Sequence, residues 1–336
     1  MELRNNDMTT MKKTTTISGS VRRCATAALT ALLLVACTSD DANAPAAEPV
    51  GKEIILTATM ADDGATTRTT TDNSILINDG TQLPAGEAVD VYISNATSDA
   101  GTSGLLPTYY VSQTSGGMYA ANDRIQAVVS NTNSQLTLGG GNIRYYWPEG
   151  NTAMNIYAFW PAGLFGNTGR ATATSTISVS NSQGNNTAPT LTAPAAVKGK
   201  PADILYAVQP NAMASPLAVP LPFRRIMAKV TVTLMPGTNT SVYDLENAAV
   251  YLYQVYLTAT LTAKTAEWSD HTDYFVIAMK SDGNPTLTHC CLLPPQTLSA
   301  AYVKVMLDAN TSLIYNIPSQ TLINGQNLHL MLTVNQ

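Results

Sequence analysis

Apolar residues alternate with polar ones along much of the chain, a pattern typical of half-buried β-strands. The first example lies at residues 54–60, where Ile54, Leu56, Ala58 and Met60 recur at a period of two. Side chains on a strand point alternately to its two faces, so these four residues are predicted to form one buried face. No stretch sustains the 3.6-residue period of a helix, and the pattern therefore predicts an all-β fold.

Two aromatic runs in the first half of the chain, residues 143–148 and 155–161, each end at a proline. Proline cannot donate to a sheet ladder, so each is predicted to be a strand that ends there. A segment rich in Thr, Ser, Asn and Ala follows, and a second series of strands begins near residue 208. The length of the chain fits two domains, which we predict at residues 51–207 and 208–336.

The longest apolar run, residues 25–35, follows several basic residues and is too short to span a bilayer about 30 Å thick. It leads into the motif Leu-Val-Ala-Cys at residues 34–37, which is typical of a bacterial lipobox. We predict a lipoprotein signal peptide over residues 1–37, lipidation of Cys37, and a flexible tether over residues 38–50. A bilayer-embedded N-terminus is the alternative that the short run disfavours.

The composition agrees with an all-β protein and restricts its partners. Charged residues make up only 12% of the chain, and short runs of Val, Ile, Leu and Tyr are separated by Gly, Pro and Asn. Five of the 18 basic and two of the 23 acidic residues precede Cys37, which leaves 13 basic and 21 acidic residues and a net charge of −8. Such a chain lacks the basic surface that binds phosphates, so nucleic acid is excluded as a partner.

The sequence holds no recognisable catalytic or metal site. His271, His289 and His329 lack the spacing of metal ligands, and there is no nucleophile elbow or phosphate loop. Cys290 and Cys291 are adjacent, and neighbours on a strand point to opposite faces, so we expect two separate thiols rather than a disulfide. We therefore predict a protein that is not an enzyme and that uses no metal and no cofactor.

The aromatic runs have two interpretations. Aromatic ring faces suit sugars, so the residues of these runs are candidates for a sugar-binding platform. Core packing is the commoner role of aromatic residues at strand period, and we favour it. The residues concerned are Tyr145, Tyr146, Trp147, Tyr157, Phe159 and Trp160.

Several segments, in their order along the chain, resemble the fimbrillin family of Bacteroidales, the type V pilins. The likeness covers nearly all of the chain after Cys37. The segments are the lipobox, the strand at residues 54–60, Arg68 in a Thr-rich loop, and residues 157–161, 203–207, 223–234 and 293–296.

This resemblance implies two transthyretin-like β-sandwich domains in tandem and a route to the cell surface. The precursor would be an outer-membrane lipoprotein, held by a lipid anchor at Cys37 until an Arg-specific protease cuts it. The matching bond lies between Arg68 and Thr69. The cut would release the lipid together with the strand at residues 54–60, and a strand from another pilin subunit would fill the resulting groove.

The last predicted strand has the same pattern as the strand that would leave. Leu328, Leu330, Leu332 and Val334 recur at a period of two, and they are at least as apolar as their counterparts in residues 54–60. Larger apolar side chains bury more surface, at about 25 cal/mol per Å², so we expect that such an exchange can be energetically favourable. The alternative is that each strand simply completes its own domain.

The hypothesis is therefore a structural subunit of a cell-surface fimbria, in its stalk or at its tip. In the family, stalk subunits carry a C-terminal donor strand and tip subunits need none. A third candidate role is that of an uncut, lipid-bound anchor of the fimbria. The competing hypothesis is a monomeric surface lipoprotein that binds a host glycan or protein.

Overall fold

The computed structural model describes residues 52–61, 83, 85–96, 111–114, 117–120, 124–130, 133–139, 144–147, 153–166, 174–183, 189–281 and 287–336. These residues belong to one compact unit. Across the described ranges, no helix is long and apolar enough to cross a membrane.

Strands make up most of the regular structure in these ranges. In chain order they are β1 (Leu56–Met60), β2 (Ala88–Asn95), β3 (Val111–Thr114), β4 (Gly117–Ala120), β5 (Ile125–Val129), β6 (Gln135–Leu138), β7 (Arg144–Tyr146), β8 (Met154–Trp160), β9 (Thr174–Val179), β10 (Leu191–Ala193), β11 (Leu205–Ala212), β12 (Val219–Arg225), β13 (Ala228–Pro236), β14 (Ala249–Thr262), β15 (Trp268–Ala278), β16 (Lys280–Ser281), β17 (Thr288–Leu293), β18 (Thr297–Leu298), β19 (Tyr302–Met306), β20 (Ser312–Asn316), β21 (Gln320–Thr321) and β22 (Asn327–Val334).

Among the described residues, a 3-10 helix at Ala195–Val197 and an α-helix, α1 (Val242–Glu246), lie between strands. Ser241 and Asp244 cap the start of α1 reciprocally. The Asp244 N–H donates to the Ser241 hydroxyl (3.3 Å), and the Ser241 N–H donates to the Asp244 carboxylate (2.9 Å). This capping box explains why a helical turn begins there.

Seven strands close into a barrel in the order β1-β12-β11-β8-β2-β5-β6, and β6 pairs back to β1. Every neighbouring pair is antiparallel except β1 and β12, which are parallel. The inward-facing residues are apolar, and Leu56, Val91 and Leu221 are fully buried among them. The predicted alternation along these strands therefore corresponds to the inside and the outside of a barrel.

Two further sheets form a second body beside the barrel. One has the order β10-β9-β14-β19-β20, with β15 also paired to β14, and the other has the order β16-β17-β13-β22. Val232, Leu252 and Val303, from β13, β14 and β19, are fully buried in one cluster. The two sheets thus share a core, as the layers of a β-sandwich do.

Strand β8 is buried on both of its faces. Ile156, Ala158 and Trp160 point into the core of the barrel, whereas Tyr157 and Phe159 belong to the core of the sandwich. The second aromatic run is apolar at nearly every position because it separates two cores, and it joins the barrel to the sandwich.

A buried ion pair lies where the chain passes from β12 in the barrel to β13 in the sandwich. Arg225, at the end of β12, donates from Nε to Oδ2 of Asp203 at 3.0 Å, and both side chains are nearly inaccessible to solvent. Beside this pair, the Ile226 N–H donates to the Ile204 carbonyl (3.0 Å). Residues 203–207 and 223–234, which the sequence singled out separately, therefore meet here.

The all-β prediction is confirmed. The strand pairing, however, does not divide the chain into two consecutive domains. The boundary predicted between residues 207 and 208 falls inside β11, which belongs to the barrel together with β12. The earlier strands β9 and β10 pair in the sandwich instead. The chain crosses between the two bodies more than once, so composition along the sequence does not mark a single boundary. The tandem of transthyretin-like domains stays a prediction.

Candidate functional site

The strand predicted to be displaced lies in the wall of the barrel. Just before β1, the chain runs beside β7, where the Ile54 N–H donates to the Tyr145 carbonyl (2.7 Å) and the Trp147 N–H donates to the Lys52 carbonyl (2.9 Å). These two bonds attach the beginning of the segment to a small sheet formed by β3, β4 and β7.

Strand β1 itself closes the barrel between β6 and β12. On one side, the Ala58 N–H donates to the Ser134 carbonyl (2.8 Å), and on the other side the Val219 N–H donates to the Ile55 carbonyl (2.8 Å). Removal of β1 would leave backbone groups on both neighbouring strands without partners, and such an open pair of edges is a template for another strand.

The four residues predicted to form the inner face of β1 do so. Ile54, Leu56 and Ala58 are 4%, 0% and 4% exposed, and Met60 is half-buried against the same core. Burial of an Ile or Leu side chain is worth about 1.5–3 kcal/mol, so this face holds the segment in place more firmly than its polar face does. Thr59, on the opposite face, is exposed.

Strand β12 supplies the residues that lie beside this inner face. In the parallel register, Leu56 is paired with Val219, Ala58 with Leu221, and Met60 with Phe223. Leu221 and Phe223 are fully buried. The groove under β1 is therefore apolar, and its shape follows the sizes of the side chains that now fill it.

The covalent features predicted around this strand lie outside the described residues. They are the lipidated Cys37 and the bond between Arg68 and Thr69. Within the described chain, the segment that contains β1 ends at residue 61, so Arg68 belongs to the connection between β1 and the rest of the barrel.

The candidate donor strand, β22, lies at one edge of the four-stranded sheet and is parallel to β13. Leu328, Leu330 and Leu332 are half-buried against the sandwich core, and Val334 is fully buried. The opposite face of the strand, which carries Met331, is exposed. In this structure β22 completes its own sandwich, as the alternative interpretation of the sequence expects.

The end of the chain is held close to the turn after β13. The Gly237 N–H donates to the Val334 carbonyl (2.9 Å), and a methyl group added at Gly237 would lie 2.7 Å from that carbonyl oxygen. The Thr238 N–H also donates to the Asn335 side chain (2.8 Å). Glycine at position 237 therefore allows the close approach of the two segments.

The aromatic residues weighed as a sugar platform are mostly inside the protein. Tyr145, Trp147 and Trp160 belong to the barrel core, and Tyr157 and Phe159 belong to the sandwich core. Tyr146 is half-buried. Their arrangement agrees with core packing.

The histidines and the later cysteines are dispersed, and in the described part of the chain no three metal-ligating side chains cluster. His271 contacts the Pro295 carbonyl through Nε2 (2.7 Å), and His329 contacts the Thr233 hydroxyl (2.8 Å). Cys290 and Cys291 are both buried and form no disulfide. Burial raises the pKa of the Cys291 thiol well above its usual range, so this thiol is unreactive at neutral pH.

His289 predicts a dependence of stability on pH. Burial on β17 lowers the pKa of His289 below its ordinary value of 6.5. The unfolded chain therefore binds more protons than the folded chain as pH falls below about 6.5, and the folded state loses up to about 1.4 kcal/mol per pH unit. Urea unfolding at pH 7.5 and pH 5.0 should show a smaller loss for His289→Gln than for the wild type.

The control for this measurement is His329→Gln, since His329 is exposed on β22. That variant should retain the pH dependence of the wild type. Identical losses in the His289→Gln variant and the wild type would refute the role of His289.

A groove that the sequence did not indicate lies on the sandwich. It has a volume of about 980 Å³, and its walls include the half-buried aromatic residues Tyr256, Trp268 and His271 together with polar Asn324. The buried Gln296 fixes one wall, because its amide accepts from the Tyr256 N–H (2.8 Å) and donates to the Tyr256 carbonyl (2.9 Å). The lining comes from β14, β15 and the segments near β18 and β21, which only the tertiary fold brings together.

Comparison with known proteins gives a consistent result. A family model described as fimbrillin-like matches residues 67–336. A proposed cell adhesion protein from Bacteroides uniformis has a similar structure, with 15% identity, a TM-score of 0.53, and coverage of 86% of this chain and 95% of that one. A second from Bacteroides ovatus has 16% identity, a TM-score of 0.56, and coverage of 85% and 94%. These likenesses show the fold, and no curated protein matches the sequence.

Proposed function

Because this chain belongs to the fimbrillin-like family, we propose that it is a structural subunit, in the stalk or at the tip, of a cell-surface fimbria and has no catalytic role. We further propose that it reaches the surface as an outer-membrane lipoprotein with its lipid on Cys37. In this scheme a protease cuts between Arg68 and Thr69, and subunits then assemble by exchange of strands.

The observation that carries this proposal is the position of β1. It lies in the wall of a closed barrel, yet its covalent connection to all the other barrel strands runs through Arg68. After a cut at Arg68, β1 would be held only by hydrogen bonds and by burial of its inner face. Hydrolysis of a single peptide bond would thus allow another strand to replace β1 in the wall of the barrel.

The exchange conserves the main interactions of the barrel. A strand that enters between β6 and β12 regains the backbone bonds that β1 makes, and its side chains fill the groove beside Leu221 and Phe223. The lipid leaves with the displaced segment, so the anchor is lost in the step that prepares the subunit for assembly.

Strand β22 is the candidate donor to a neighbouring subunit. It is an edge strand, and three of its inward residues, Leu328, Leu330 and Leu332, are only half-buried in its own sandwich. By comparison, three of the four inner residues of the β1 segment, Ile54, Leu56 and Ala58, are buried. Transfer of β22 into the groove of a neighbouring pilin whose inner positions admit its Leu side chains would bury more apolar surface, which favours donation, while loss of the contacts of Val334 opposes it.

Replacement of Arg68 tests the proposed function directly. Arg68→Ala is expected to block the cut and therefore to abolish fimbriae, while the uncut lipoprotein accumulates at the outer membrane. Arg68→Lys should give the same result, because it keeps the charge but removes the residue that an Arg-specific protease requires. Electron microscopy of cells and N-terminal sequencing of assembled material provide the measurements.

Thr67→Ala is the matched control, since it changes the residue next to Arg68 but leaves the Arg68-Thr69 bond. It should assemble normally, with Thr69 as the first residue of the assembled chain. Fimbriae whose subunits begin at Cys37 would refute assembly driven by this cut.

The groove near Tyr256 supports a second candidate function, the binding of a host glycan by a monomeric surface lipoprotein. Aromatic rings and a side-chain amide line the groove, as in many carbohydrate sites. Glycan binding by the purified protein, lost in Tyr256→Ala and retained in Arg68→Ala, would favour this candidate.

A further inference from the structure

We propose that the groove left by β1 accepts a strand with a small residue, Ala, Gly or Ser, at the position of Ala58. We further infer that this strand comes from a different pilin and not from β22 of a second copy of this chain. The inference rests on the strand exchange proposed above and adds the kind of strand that takes part.

The first reason is the shape of the groove at its middle position. Ala58 is 4% exposed and lies beside Leu221, which is fully buried. Along β1, its inward neighbours are the larger residues Leu56 and Met60. A small residue is thus set against a large one across the two strands, which is how small barrels fill their interiors. The core around Ala58 is closed to solvent and is already filled by large side chains from β12.

The second reason is the pattern of β22. Its inward residues are Leu328, Leu330, Leu332 and Val334, and none of them is small. Every register that places three or more of them at the inner positions of β1 puts Leu or Val at the position of Ala58. This holds in both orientations of the strand, because any three consecutive inner positions of β1 include that of Ala58 and every inward residue of β22 is Leu or Val.

A larger residue at this position weakens the fit of the incoming strand. Extra methyl and methylene groups in a packed core cost about 1–3 kcal/mol, which corresponds to about 5- to 150-fold in affinity. A copy of this chain is therefore a poor donor to its own groove. In a fimbria, this subunit would follow or precede a pilin of another sequence, rather than repeat in a run of identical subunits.

Strand replacement in the cut protein tests the inference. The chain from residue 38 to residue 336, cut between Arg68 and Thr69, is incubated with an excess of a synthetic peptide that covers residues 52–61. Release of the fragment that ends at Arg68 is followed by size-exclusion chromatography and mass spectrometry. The peptide with Ala58→Leu should release the fragment at least about fivefold less efficiently than the unchanged peptide.

A Thr57→Leu peptide is the matched control, because it adds a Leu next to Ala58 but on the outer face of β1. It should act like the unchanged peptide. A peptide that covers residues 327–336 should be a weak competitor, and replacement of either Leu330 or Leu332 in it by Ala should improve it several-fold.

The outcomes separate this inference from the proposed function. Equal release by the unchanged and the Ala58→Leu peptides, or strong release by the unmodified peptide of residues 327–336, would overturn the inference and leave strand exchange intact. If no peptide, including the unchanged one, releases the fragment, the exchange itself is refuted and the inference falls with it.

Discussion

Replacement of Asp203 by Ala is expected to lower the free energy of unfolding by about 3–5 kcal/mol. The Arg225 guanidinium would remain almost fully buried but without the carboxylate that it contacts at 3.0 Å. A buried charge that loses its ionic partner is poorly solvated by the protein and has no access to water. Because the pair lies at the passage from β12 to β13, we expect the barrel and the sandwich to lose stability together.

Urea unfolding, followed by tryptophan fluorescence, measures this effect. The control is Glu53→Ala, which removes an ion pair of similar length, 3.3 Å to Arg144, whose two side chains are 43% and 68% exposed. Solvent screens that pair, so the control should change stability by less than about 1 kcal/mol. Equal effects of the two substitutions would contradict a structural role for the buried pair.

The second large effect is expected at Leu56. Leu56→Ala should destabilise the uncut chain by about 2–5 kcal/mol, because it leaves a cavity in the barrel core where Leu56 is fully buried. After a cut at Arg68, the same substitution should speed the departure of β1. Urea unfolding before the cut and the rate of fragment release after it are the two measurements.

This prediction distinguishes a strand that leaves the barrel after the cut from a core strand that stays in the subunit. Once the segment that carries β1 has been replaced by another strand, Leu56→Ala should have no effect, since the substituted residue has left. Thr59→Ser, on the exposed face of the same strand, keeps the hydroxyl that donates to the Leu221 carbonyl (3.3 Å) and should stay within about 0.5 kcal/mol of the wild type throughout. A lasting defect in assembled subunits made from the Leu56→Ala precursor would show that β1 does not leave.

Much of the candidate site could be predicted because strand alternation is a local property. A period of two requires only neighbouring residues, so the inward positions of β1 and β22 follow directly from their sequences. The structure agrees at Leu56, which is fully buried, and at Leu330, which is half-buried. The groove near Tyr256 could not be predicted, since its walls come from segments far apart in the chain.

Which strands pair with each other also could not be predicted from the local sequence. Leu56 pairs with Val219, and Leu328 pairs with Val230, both in parallel arrangements between distant segments. Many pairings satisfy the same alternation, and their relative free energies depend on how whole sheets pack. For the same reason, the sequence suggested one boundary near residue 208, whereas the chain crosses between barrel and sandwich more than once.

The sequence by itself determined the all-β class, the faces of the strands and the presence of Arg68 after the first of them, because each depends on residues that are close together in the chain. The tertiary structure alone decided that β1 closes a barrel, that β8 separates two cores, and that Asp203 meets Arg225. These features depend on long-range packing, in which a side chain is stabilised by residues that its own segment does not contain.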